Sequence, residues 1–131
     1  MFLHELNNEQ KEAFICLAHN IVVSDGELSP GEQLMMEALR REIGLHDDYQ
    51  PHYIPVEGIS EIFDTRTSRV STVIALVRLS YADGAFEIEE QFLIEEVCSA
   101  FKFSEKEFNL IDNWVRRLIS LQKEATSFMA L

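Results

Sequence analysis

"SDGELSPGEQLMMEALRREIGL", residues 24–45, decides the fold, because the chain writes it a second time. Residues 82–103 read "ADGAFEIEEQFLIEEVCSAFKF", 58 positions further on. Identities fall at Asp25/Asp83, Gly26/Gly84, Glu32/Glu90, Gln33/Gln91 and Glu37/Glu95. Apolar residues also correspond, at Leu28/Phe86, Leu34/Phe92, Met35/Leu93, Met36/Ile94, Leu39/Val97, Ile43/Phe101 and Leu45/Phe103. Each copy reads as a tight acidic turn that enters an amphipathic helix.

The helix before each turn is legible too. Asn7 with Gln10 has the form of a capping box, and Phe14, Leu17, Ala18 and Ile21 follow at helical spacing. Gly26 is expected to end that helix. Ser29 as N-cap, Pro30 at the first helical position and Glu32 at N3 open the next one. Its apolar stripe is Leu34, Met35, Ala38, Leu39 and Ile43, and Gly44 stops it. The segment "TRTSRVSTVIALVRLSYA" is apolar almost all round, with Val70, Val73, Ile74, Leu76, Val77 and Leu79, which predicts a central helix. After the second turn, Phe92, Leu93, Val97, Cys98 and Phe101 line a helix. "SEKE" (Ser104, Glu107) caps the last one, whose buried face is Phe108, Ile111, Trp114, Val115, Leu118 and Ile119.

Between the copies, "LHDDYQPHYIPVEG" is irregular, broken by Pro51, Pro55 and Gly58, and "ISEIFD" suits one short turn of helix. The expected fold is therefore all-α, a single domain over residues 1–131 with six to seven helices and no sheet. Hairpin 1 covers about 8–44, the linker about 45–64, hairpin 2 about 66–102 and a C-terminal helix about 105–126. The hairpins are expected to pack about a pseudo-two-fold axis.

Charge narrows the partners. Acidic residues number 23 against 11 basic ones, a net charge of −12. Such a chain repels phosphate backbones, so nucleic acid is a poor partner, whereas cations or a basic protein patch fit. No run approaches the ~18–20 apolar residues of a membrane span, and the start "MFLHELNNEQKEAF" has no signal-peptide character. Cys16 and Cys98 lie within apolar helical patterns and read as reduced core residues, so a cytoplasmic location is expected.

The acidic turns invite comparison with a calcium loop. Asp25, Gly26, Leu28 and Glu32 match positions 5, 6, 8 and 12 of an EF-hand, and Asp83, Gly84, Phe86 and Glu90 match again. The leading positions are then Ile21 and Val23, or Leu79 and Tyr81, which supply no anionic oxygen, so an ordinary EF-hand is excluded. Glu32 and Glu90 each have a structural use at N3, facing the positive end of a helix dipole. Asp25 and Asp83 can serve Asx-turns, or the four acids can serve a cation, for which oxygen ligands favour Ca2+ or Mg2+. His46, Asp47, Asp48 and His52 are ingredients of a transition-metal site, although polar loops gather such residues by chance. No nucleophile elbow and no phosphate-binding Gly loop occurs, so no catalytic residue is assigned.

The stretches "SDGELSPGEQLMMEALRREIGL" and "YADGAFEIEEQFLIEEVCSAFKFSEKEF" resemble the tellurite-resistance TerB-like domains. They are also similar to the related N-terminal domain of a membrane-anchored DnaJ-type co-chaperone. The resemblance implies an all-helical fold and a stress-response or envelope-linked role without established catalysis. It implies divalent-cation binding at the matching positions Asp25, Glu32, Asp83 and Glu90. Two departures are Ser24, where Ala is usual, and the long Pro-rich middle loop; no J-domain sequence is present. Two functions are thus expected. One is a non-enzymatic acidic helical module that binds a protein with a basic or apolar surface, and the other is a divalent-cation-binding or sensing domain. The tail "SFMAL", with Phe128, Met129 and Leu131, is a candidate for docking on the domain or on a second copy, which would give a homo-oligomer.

Overall fold

Asn7, Ser29, Thr65 and Ser104 each open a helix by accepting a hydrogen bond from the backbone N–H three residues on. That local chemistry sets the element order in this computed structural model, which describes residues 2–24, 28–46, 48–82 and 87–130. A 3-10 turn at Leu3–Glu5 precedes α1 (Asn8–Val22), α2 (Pro30–Ile43), α3 (Ile59–Ile62), α4 (Arg66–Ser80), α5 (Ile88–Ala100) and α6 (Glu105–Met129). Among the described residues there is no strand, and the fold is all-α.

The duplication extends to the element boundaries. Shifting α1 by 58 positions lands on α4 end for end, and α2 lands on α5 to within one residue. The helix ends repeat as well. Gly44 and Lys102, again 58 apart, both adopt left-handed backbone, with φ of 71° and 63°. The Leu45 N–H reaches back to the Arg40 carbonyl, and the Phe103 N–H to the Cys98 carbonyl. Both ends are therefore Schellman-type stops, which satisfy carbonyls that the last helical turn leaves open.

α4 is the central helix, packed against α1, α2, α5, α6 and the 3-10 turn. Its residues Val73, Ala75, Leu76, Val77 and Leu79 are buried, as its all-round apolar pattern requires. Phe14, Leu17, Ala18 and Ile21 of α1 join the same core. Phe63 and Phe103 each meet Phe101 edge-to-face, closing the core beneath α5.

The middle loop is more firmly held than its Pro-rich sequence suggests. Gln10 and Asn20 of α1 donate to the carbonyls of Ile62 and Ile54. Arg40 donates to the His46 and Tyr49 carbonyls, and Arg69 to those of Phe63 and Ser60. Carbonyls of the loop and of the short α3 thus find their partners in side chains of three helices.

Several expectations are corrected. Leu34, Ala38 and Phe92 are exposed rather than part of the buried stripes. Trp114 is half-buried, its ring 6.5 Å from that of Phe2. α1 ends at Val22, before Gly26, which lies outside the described residues. α6 runs on to Met129, and Phe128 and Met129 are exposed, so these two do not dock on the domain. Leu131 lies outside the described residues. No helix among the described residues is long and apolar enough to cross a membrane.

Candidate functional site

Of the four acids singled out by the repeat, Glu32 and Glu90 lie within the described residues, and Asp25 and Asp83 lie outside them. Each glutamate stands in the first turn of the helix that follows an acidic turn, and each is only 1% exposed. Glu32 Oε1 accepts the Ser29 N–H at 3.0 Å, and Ser29 Oγ accepts the Glu32 N–H at 3.1 Å. Glu90 Oε1 accepts the Glu87 N–H at 3.3 Å.

A capping role alone does not demand burial. Glu107 fills the same position at the head of α6, accepting the Ser104 N–H at 3.0 Å, yet its side chain stays 34% exposed. That capping hydrogen bond and the Arg66 guanidinium, 2.7 Å away, hold the Glu107 carboxyl below the usual range. Glu32 and Glu90 carry the same cap into the interior, where a carboxylate needs hydrogen bonds or positive charge around it.

The cause is rotational. Glu32, Leu39 and Ile43 are separated by seven and eleven positions, which returns each to nearly the same side of a helix at 3.6 residues per turn. Glu90, Val97 and Phe101 repeat the pattern. Residues two apart cannot share a face. Turning Leu39 and Ile43 inward therefore drives Glu32 in and Leu34 out, and the same rotation drives Glu90 in and Phe92 out. Leu34 is 67% exposed and Phe92 61%, each one turn before an exposed glutamate, Glu37 or Glu95. This pair of surface apolar residues was visible in the repeat alignment, but its outward direction was not.

The approach to the second acidic turn is braced. The Tyr81 hydroxyl donates to Asp112 Oδ1 at 2.7 Å and accepts from Arg116 Nε at 2.9 Å, fastening the end of α4 to α6. Burial and the bond to Asp112 push the Tyr81 phenol up. Val23, the equivalent residue of the first copy, is exposed and has no phenol to offer.

Among the described residues no group of three or more His, Cys, Asp or Glu side chains is gathered tightly enough to hold a metal ion. The loop histidines separate, and Asp47 lies outside the described residues. His52 turns to Cys16, its Nδ1 3.8 Å from Sγ, while His46 stays exposed. Both cysteines are buried and free. Burial, with Glu95 nearby, pushes the Cys98 thiol up to about 12.

Residues 55–113, rather less than half of the chain, match a family model described as tellurite resistance protein TerB. That part of the chain is similar to the TerB family. The match runs from the end of the middle loop through α3, α4 and α5 into α6, and so includes Asp83 and Glu90. The first hairpin precedes the matched segment and is related to it by the internal duplication. No curated protein and no solved structure matches the chain.

Proposed function

We propose that this TerB-like chain is a non-enzymatic, cytoplasmic interaction module with a stress-linked role, the association that the tellurite-resistance family name carries. Its partner is a protein segment that is both basic and apolar. The observation behind this reading is the duplicated surface pair, Leu34 beside Glu37 and Phe92 beside Glu95, all four exposed. An apolar side chain next to a carboxylate, on a chain of net charge −12, suits a basic amphipathic helix. The test uses a fluorescent Leu/Lys amphipathic peptide, followed by anisotropy at low and at physiological salt. Binding should weaken at least tenfold in Leu34→Ser with Phe92→Ser. The double variant should melt with the parent, since neither side chain is buried. Equal affinity of parent and double variant rejects this surface.

A second reading, divalent-cation binding by Asp25, Glu32, Asp83 and Glu90, is favoured by the burial of Glu32 and Glu90 beyond what a cap requires. Oxygen donors of this kind suit Ca2+ or Mg2+. A native-state ligand at a hundredfold excess over Kd adds roughly 2.7 kcal/mol, or about 5–15 °C in Tm. The gain should saturate, should exceed that of sodium chloride at matched ionic strength, and should vanish in Asp25→Asn with Asp83→Asn. Identical melting in matched calcium, magnesium and sodium rejects the cation.

A further inference from the structure

A cleft of about 560 Å³ lies between α1, the middle loop and α3. Cys16 forms part of its floor, and Glu9, Glu12 and Glu57 are among its walls. Cys16 Sγ stands 3.8 Å from His52 Nδ1 and 3.5 Å from the Tyr49 hydroxyl. We propose that Cys16 and His52 form a binding site for one soft monovalent metal ion of the copper(I) class, with Tyr49 supporting the sulfur.

The distance suits a shared ion. A metal of zinc's size binds sulfur at about 2.3 Å and imidazole nitrogen at about 2.0–2.1 Å. Two such donors on one ion are separated by about 3.5 Å at a tetrahedral angle and about 4.4 Å when linear. The observed gap of 3.8 Å lies inside that interval, about 0.6 Å short of the linear limit, so a small opening of the pair seats a two-coordinate ion. Zinc itself requires three or four protein ligands, and among the described residues no third His, Cys, Asp or Glu joins the pair. Thiolate with imidazole and a low coordination number select copper(I).

The surroundings favour an ion over a bulkier reagent. Cys16 is 1% exposed, so its sulfur is screened from bulky reagents. The three wall glutamates attract cations toward it. His52 is exposed but not loose, because the loop is tied on both sides of it. Arg40 holds the Tyr49 carbonyl at 2.6 Å, and Asn20 holds the Ile54 carbonyl at 3.3 Å. Such tethers keep a ligand near its working position before the ion arrives. Binding displaces the thiol proton to solvent, and neutral His52 lends the Nδ1 lone pair. The sulfur then has no proton to donate, so the Tyr49 hydroxyl donates to it. Outer partners of this kind hold a ligand's orientation.

The test is anaerobic competition for copper(I) against a chromophoric copper(I) chelator. The parent should withdraw one equivalent. Cys16→Ser and His52→Asn should each lower the affinity at least a hundredfold, and Tyr49→Phe by about tenfold. Cys98→Ser should match the parent. His52 is on the surface, so His52→Asn folds even if Cys16→Ser does not. Failure of the parent to compete overturns the proposal, as does full binding by His52→Asn, or loss of binding in Cys98→Ser alone.

Discussion

Lys102 holds a conformation that the first copy assigns to glycine. At φ 63° its Cβ crowds the backbone, whereas Gly44 at φ 71° avoids that contact. Lys102→Gly should raise stability by about 0.5–1 kcal/mol, the relief of strain exceeding the added flexibility of the unfolded chain. Thermal melting should move up by about 2–4 °C. Gly44→Ala is the mirror experiment. Nothing lies within 4 Å of a Cβ built there, so its cost, about 1 kcal/mol, comes from backbone strain alone. An unchanged Lys102→Gly melting curve would show that the second Schellman-type end is not strained.

α4 and the pair α2/α5 use apolar residues for different ends. Leu76 of α4 is fully buried, so Leu76→Ala removes packing on every side and should cost about 2–5 kcal/mol. Leu34→Ala and Phe92→Ala touch residues in solvent, and each should stay within about 0.5 kcal/mol of the parent in urea denaturation. A large loss at Leu34 or Phe92 would mean that α2 or α5 is rotated differently and that Glu32 or Glu90 is not the inward residue. α6 combines both uses. Val115 packs into the core, whereas residues 120–130 are exposed throughout.

The whole chain carries −12, and relief of its self-repulsion by salt is a background to every ligand experiment. Between about 10 mM and 150 mM sodium chloride the screening length falls from about 30 Å to about 8 Å. Tm should rise over this range, without saturation, and equally in the parent and in Asp25→Asn with Asp83→Asn. A Tm that stays flat would show that the acids are already compensated within the fold.

The helices, their caps and the duplication were legible because they depend on contacts between residues a few positions apart. Ser29 with Glu32, Ser104 with Glu107 and Gly44 at a helix end are local statements, and the 58-residue offset needs only comparison of the chain with itself. The Thr65 cap is local too but fainter in the sequence, because Thr with Ser at N3 is a weaker form of the same signal. The rotation of α2 and α5 was a tertiary decision. Leu34 and Leu39 are equally apolar, and which of them faces inward is settled by the shape of α1 and α4 beneath. Burial of Glu32 and Glu90 follows from that choice. The meeting of Cys16 with His52, 36 positions apart, likewise had no sequence signal. It exists because Asn20 and Arg40 capture loop carbonyls, and hydrogen bonds between distant segments leave no periodicity in the chain.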